Sequence, residues 1–331
     1  MIKKTNFNPE PLIEHMKSVP YELVHTALYD GAALYDGFRP EQPESEQDYY
    51  DRRVYQHYIA TGKFPNSNEE AMARTLHDHA MKRQLGIFVK ARNYLKIVGV
   101  MGGHGLLRTD AMYRQIVFLS KQLTELGFLM VSGGGPGAME ATHLGAWMAG
   151  RSDDEVEEAL NIVASAPKYS DEGWISTAFE VMRRYPQNQY ESLGIPTWLY
   201  GHEPPTPFAT HIAKFFDNSF REDVILTVSF GGIVFTPGSA GTLQEIFQNA
   251  VQNHYLSFGF SSPMIFLGNK FWSADIPIYP LLQGLMEVGQ YKNLSLTLTD
   301  DSAVVAQRLL EFQDKTKNNP EAFKIDGVKL G

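Results

Sequence analysis

Two short stretches carry residue types that could hold a phosphate. Residues 132–138 (SGGGPGA) and 237–242 (PGSAGT) each sit between an apolar, β-branched run and a pattern of helical period. Gly133, Gly134 and Gly135 in the first would let the backbone approach a ligand, and amides exposed at a helix start favour an anion. The second offers Gly238, Ser239, Ala240, Gly241 and Thr242, with two hydroxyls beside the backbone nest. It lacks the G-x-x-x-x-G-K-[ST] lysine that would serve a γ-phosphate, so a monophosphate suits it better than a triphosphate. A third turn, GVMGGHG at 99–105, adds the amides of Gly102 and Gly103. Glu245 follows Thr242 by three residues. About one turn into a helix, it could complement the helix dipole or cap the N-terminus, or it could reach a sugar attached to a phosphate on the loop.

The elements that must position these turns follow from local pattern. YLKIVGVMGG reads as a buried strand entering a turn, and DAMYRQIVFLSKQLTELG as a helix stopped by Gly127. FLMVSGGGPGAMEATHLGAWMAG repeats strand, glycine turn and helix. NIVASA (161–166) is expected as a weaker third strand, and the helical stretch WISTAFEVMRRYPQNQYESL, part of an insertion at about 151–195, separates it from a strand at TWLYG (197–201). GIVFTPG, SSPMIFLG and LSLTLTD each read as a strand followed by a helix. Strands alternating with helices predict an α/β fold, a doubly wound Rossmann-like parallel sheet with helices on both faces. Residues 1–90 predict a mainly helical N-terminal segment, and 91–331 the nucleotide-binding domain.

With 331 residues, 43% of them hydrophobic and 20% charged, the chain has the composition of an ordinary folded protein. A formal net charge of −9 without a basic stripe argues against nucleic-acid binding. Cysteine is absent, which excludes disulfide and thiol chemistry and suits a reducing cytoplasm. No apolar run approaches membrane-spanning length, and MIKKTNFNPEPLIEHM lacks the apolar core of a signal peptide. The expected location is cytoplasmic, with no membrane partner.

SGGGPGAMEA together with PGSAGTLQE resembles the LONELY GUY (LOG) family of nucleoside 5′-monophosphate phosphoribohydrolases, often mislabelled lysine decarboxylases. The family pattern P-G-G-x-G-T-x-x-E is matched by Pro237, Gly238, Gly241, Thr242 and Glu245. Ser239 stands where the family has its second glycine. The family also places a catalytic arginine on the preceding helix, and Arg221 in NSFREDVILTVS stands 16 residues before Pro237. GAMEATHLGAWMAG looks most like the larger bacterial nucleotide nucleosidases. The resemblance covers roughly residues 94–316.

It implies hydrolysis of an AMP-like nucleotide to free base and ribose 5-phosphate. Glu245 would stabilise an oxocarbenium-like sugar, orient a water, or both. Arg221 would anchor phosphate, hold the glutamate or steady the departing base. The glycine turns would hold phosphate and ribose, and His104 is a candidate contact to base or ribose. At least a homodimer is implied, with LQEIFQNAVQNHYL as part of an interface. A serine at 239 would be strained if φ there must be positive.

Other readings are weaker. A non-catalytic nucleotide sensor would use the same pockets. Asp153, Asp154 and Glu155 stand near the spacing of a dinucleotide-binding acid, but in what reads as a solvated helix start. Arg221 could instead pair on the surface with Asp217 or Glu222. A pyridoxal-phosphate enzyme needs a Schiff-base lysine, and Lys270 is the candidate. His77 and His79 face different ways on a helix, and with no cysteine and no H-E-x-x-H no metal is expected; no other cofactor is expected either. Tyr49, Tyr50, Tyr55 and Tyr58 at helical spacing read as packing or a subunit contact. GHEPPTPFATHIAKFF reads as an ordered loop near the site.

Overall fold

The computed structural model describes residues 8–201 and 203–318 of the chain. The first seven residues, part of the segment read above for a leader, lie outside the described residues, as does His202 of the GHEPPTPF loop.

Four helices make up most of the described N-terminal segment: α1 (Glu10–Ser18), α2 (Gly31–Leu34), α3 (Tyr50–Ala60) and α4 (Asn68–Lys90). The α/β part then runs β1 (Ile97–Met101), α5 (Ala111–Glu125), β2 (Leu129–Ser132), α6 (Ala138–Trp147), α7 (Asp153–Val163), α8 (Trp174–Arg184), β3 (Ser192–Gly194) and β4 (His211–Ile212). It continues through α9 (Asn218–Val228), β5 (Gly232–Phe235), α10 (Ala240–His254), β6 (Pro263–Leu267), α11 (Ile278–Glu287), β7 (Ser295–Thr299) and α12 (Ser302–Asn318).

The seven strands form one parallel sheet in the order β4-β3-β2-β1-β5-β6-β7. Every residue of β1, β2, β3, β5 and β6 is buried, as a sheet covered on both faces requires. The chain winds outward from β1 to β4, returns to the other side of β1, and winds outward again from β5 to β7. This reversal opens a crevice at the C-terminal ends of β1 and β5, where sheets of this kind bind ligands.

The helical N-terminal segment packs into the same apolar cluster as the sheet: Leu34, Tyr35, Met81, Leu85 and Val89 join Val131, Leu193 and Ile233. Tyr29 and Ile212 exchange both backbone hydrogen bonds (3.0 and 2.7 Å), covering the outer side of β4. Tyr49 is fully buried and stacks on Tyr35, and Tyr58 lies under the Arg74 guanidinium, so these tyrosines serve packing. No described helix is long and apolar enough to cross a membrane.

Two expected strands are absent. NIVASA belongs to the end of α7 and the turn after it. A capping box between Ser152 and Glu155 starts that helix, and Val156, Ala159, Leu160 and Val163 form its buried stripe. Helical period therefore outweighs the local β-branched content. The same capping box accounts for Glu155, and Asp153 and Asp154 share that first turn, so none of the three sits at a strand end as a dinucleotide acid would. Among the described residues TWLYG makes one bridge, Thr197 to Phe215; Trp198 instead stacks on Phe216 and donates Nε1–H to Asp51 Oδ1 at 2.9 Å. The third strand is the three-residue β3, within the expected helical insertion, and β4 falls within GHEPPTPFATHIAKFF, expected as an ordered loop.

Candidate active site

The three glycine turns interlock. The Gly103 amide donates to Pro237 O at 3.1 Å, and Gly103 O accepts from the Ala138 amide at 3.1 Å, tying the ends of β1, β2 and β5 together. Gly137 precedes α6 at φ +69° and ψ −129°, and a Cβ there would stand 2.5 Å from Gly103 O and 2.6 Å from His104 O. Only glycine allows that approach.

At the start of α10, Ser239, Ala240 and Gly241 are exposed. Ser239 is the N-cap residue, yet its hydroxyl caps nothing, so the hydroxyl and the first amides of a 15-residue helix face outward together. Its φ is −117°, an ordinary conformation for serine, so the substitution carries no left-handed strain. Gly238 packs against Thr242 and Gly103, and Gly134 O accepts from the Thr206 amide at 2.8 Å; these two glycines lie behind the cavity wall.

Glu245 is the sixth residue of α10, beyond reach of the free N-terminal amides, so it is not a cap. It points instead at Arg221: Oε1 lies 4.0 Å from Nη1, with both side chains about one-tenth exposed. Arg221 is positioned from α9, whose N-terminus is capped by Asp217 accepting from the Phe220 amide. Its Nε donates to Ile195 O at 2.7 Å. Its Nη2 occupies the space that a Cβ at Gly133 would need, so that glycine makes room for the guanidinium. The surface-pair alternatives for Arg221 do not occur. Asp217 caps the helix, and Glu222 is held by Tyr200, Asn218 and Gln244 at 3.0, 2.6 and 2.5 Å.

These groups line a cavity of about 540 Å³ at the crevice, within the range of small-molecule sites. Gly102, Gly103 and His104 line it from β1; Gly133 and Gly135 from β2; Ser239, Ala240, Gly241, Thr242 and Glu245 from the β5 side. Sequence reasoning missed Tyr169, Tyr200, Glu203 and Glu222, which line it as well. Tyr169 comes from the α7–α8 connection and meets His104 edge-on at 6.5 Å between centroids. For Glu203, the available signal was an acid ahead of two prolines in a loop after a strand. Burial pushes the Glu245 carboxyl up to about 7, against the pull of Arg221, with Glu222 adding to the rise. Burial also raises Glu203, opposed by His104, Arg221 and Lys214. Lys214 is itself buried on Asp51 of α3 at 2.6 Å, so the N-terminal segment neutralises a cation next to the site.

Lys270, the lysine a pyridoxal-phosphate enzyme would need, lies outside this cavity, 84% exposed and paired with Asp275. Among the described residues no three His, Cys, Asp or Glu side chains converge as a metal site. His77 is engaged by Tyr29 and Asp78.

No protein-family model matches this chain, and no curated protein matches it. Solved structures similar to it include the molybdenum cofactor binding protein of the phototrophic bacterium Rippkaea orientalis, 15% identical, covering 67% of this chain and 96% of its own, with a TM-score of 0.39. Another is the molybdenum cofactor carrier protein of Chlamydomonas reinhardtii, 17% identical, covering 65% of this chain and 98% of its own, with a TM-score of 0.39.

Proposed function

We propose that this protein hydrolyses the N-glycosidic bond of a nucleoside 5′-monophosphate, releasing the free base and ribose 5-phosphate. The observation that carries this reading is the position of Glu245. It lies five residues along α10 from the open amide of Ala240, about 7.5 Å at the helical rise, and faces a buried arginine. A phosphate on the amides of Ser239 to Gly241 would leave the ribose over Glu245. Its carboxylate would then stabilise the positive charge that develops at C1′ and orient the attacking water. Arg221, held in place by Ile195 O, fixes Glu245 and offers its outer nitrogens to the substrate. His104 and Tyr169 supply the planar groups against which a base can pack.

Incubating the protein with a panel of nucleoside monophosphates, with detection of both base and ribose 5-phosphate, tests the reading. Release of equal amounts of the two supports it; no base from any substrate removes it, and saturable binding without release would identify a nucleotide-binding protein instead. Glu245→Gln is expected to abolish turnover while retaining nucleotide binding. We further propose assembly into at least a dimer through α10 and the residue that follows it, where Val251 and Tyr255 are 42% and 73% exposed. Sedimentation of the wild type and a Val251→Glu/Tyr255→Glu variant checks this, a monomeric wild type being the adverse result.

A further inference from the structure

The cavity holds a second carboxyl group on the side opposite Glu245. Glu245 enters from α10, after β5; Glu203 enters from the connection between β3 and β4, across β2 and β1 in the sheet order. Glu203 Oε2 stands 3.6 Å from the place a Cβ at Gly135 would take, over the glycine turn. Its carboxyl makes no hydrogen bond or ion pair to another described residue, whereas Glu222 is held by three partners. The titratable or charged groups acting on Glu203 are His104, Arg221 and Lys214. With the base packed against the His104 or Tyr169 ring, Glu203, whose strongest charge neighbour is His104, lies by the base end of the cavity and Glu245 by the sugar end.

We infer that Glu203 is the proton donor to the departing base, acting at N7 of the purine of an AMP-like substrate. This inference rests on the hydrolase reading above. The C1′–N9 bond breaks with its electron pair passing to N9, while a water oxygen bonds to C1′ and gives its proton to Glu245. The Glu203 carboxyl proton goes to N7 of the purine, so the base leaves neutral. Exchange with solvent then restores both carboxyls. Burial favours the protonated form of Glu203, the form this step requires.

A purine already methylated at N7 carries its positive charge before the bond breaks and needs no donor. The test is therefore base release from GMP and from N7-methyl-GMP by the wild type and by Glu203→Gln. General acids contribute roughly 10²–10⁴-fold. The expected result is a loss of that size on GMP and a change within about threefold on N7-methyl-GMP. An equal loss on both substrates assigns Glu203 a structural role and overturns the inference, as does no loss on either. If the wild type releases base only from pyrimidine nucleotides, the inference fails while the hydrolase reading stands. If the wild type releases no base from any nucleotide, the hydrolase reading falls and this inference with it.

Discussion

A carboxylate held at a site for chemistry should weaken the fold, and Glu245 allows that cost to be measured. Its carboxyl is pushed to about 7 from 4.5, chiefly by burial. The folded state therefore holds the proton more tightly than the unfolded state. The stability this contributes is full below pH 4.5 and is lost as pH rises through 7. The difference corresponds to roughly 3 kcal/mol at pH 8, with the opposing pull of Arg221 already included. Glutamine mimics the protonated acid at every pH. Glu245→Gln should therefore stabilise the fold by about 3 kcal/mol at pH 8 and by less than about 1 kcal/mol at pH 5. For a chain of 331 residues that is a Tm rise of about 4 °C at pH 8 and about 1 °C at pH 5. The measurement is the thermal midpoint of both proteins at the two pH values, in which any effect of the amide's shape cancels. A Tm difference independent of pH, or a variant less stable than wild type at pH 8, would refute the reasoning. The same variant should be inactive, a trade of activity for stability that marks functional sites.

Gly133→Ala should drive Arg221 from its seat, because the new Cβ would collide with Nη2 and with Met139 Sδ. Overpacking of this kind costs about 1–3 kcal/mol, and turnover should fall by more than about tenfold; a fully active variant would place the guanidinium elsewhere. Ser239→Gly should leave the Tm within about 2 °C, since φ at 239 is already negative, and weaken phosphate binding modestly by removing the outward hydroxyl. Tighter binding, measured calorimetrically with ribose 5-phosphate, would argue against that contact. Asp51→Asn should destabilise the fold by about 3–5 kcal/mol by leaving Lys214 buried without its counter-charge. Adding Lys214→Met should restore most of that loss in a chemical-denaturation series, and failure to do so would mean that Asp51 acts through Trp198 instead.

The sheet and its glycine turns were legible because each rests on signals carried within about 20 residues: a β-branched run, glycines at its end, then a 3.6-residue period. Those signals place β1, β2, β5, β6 and β7, and with them the amide groups of the site. The signal fails where an element is too short to show a period, as with the three residues of β3, or where aromatic side chains serve packing instead of a ladder, as in TWLYG. The charged groups follow a different logic. Glu245 was visible beside its glycine turn, but alone it is indistinguishable from a helix cap until its depth in α10 and the arginine facing it are known. Arg221 was singled out by resemblance to a family pattern, since nothing in NSFREDVILTVS distinguishes a buried guanidinium from a surface one. Glu203 and the Asp51–Lys214 pair depend on segments far apart in sequence, brought together by the crossovers of the sheet and by the N-terminal segment packed along β4. A substitution in residues 1–90 can therefore alter this site without touching it, because Asp51 sets the charge balance around Lys214 and through it the field at Glu203.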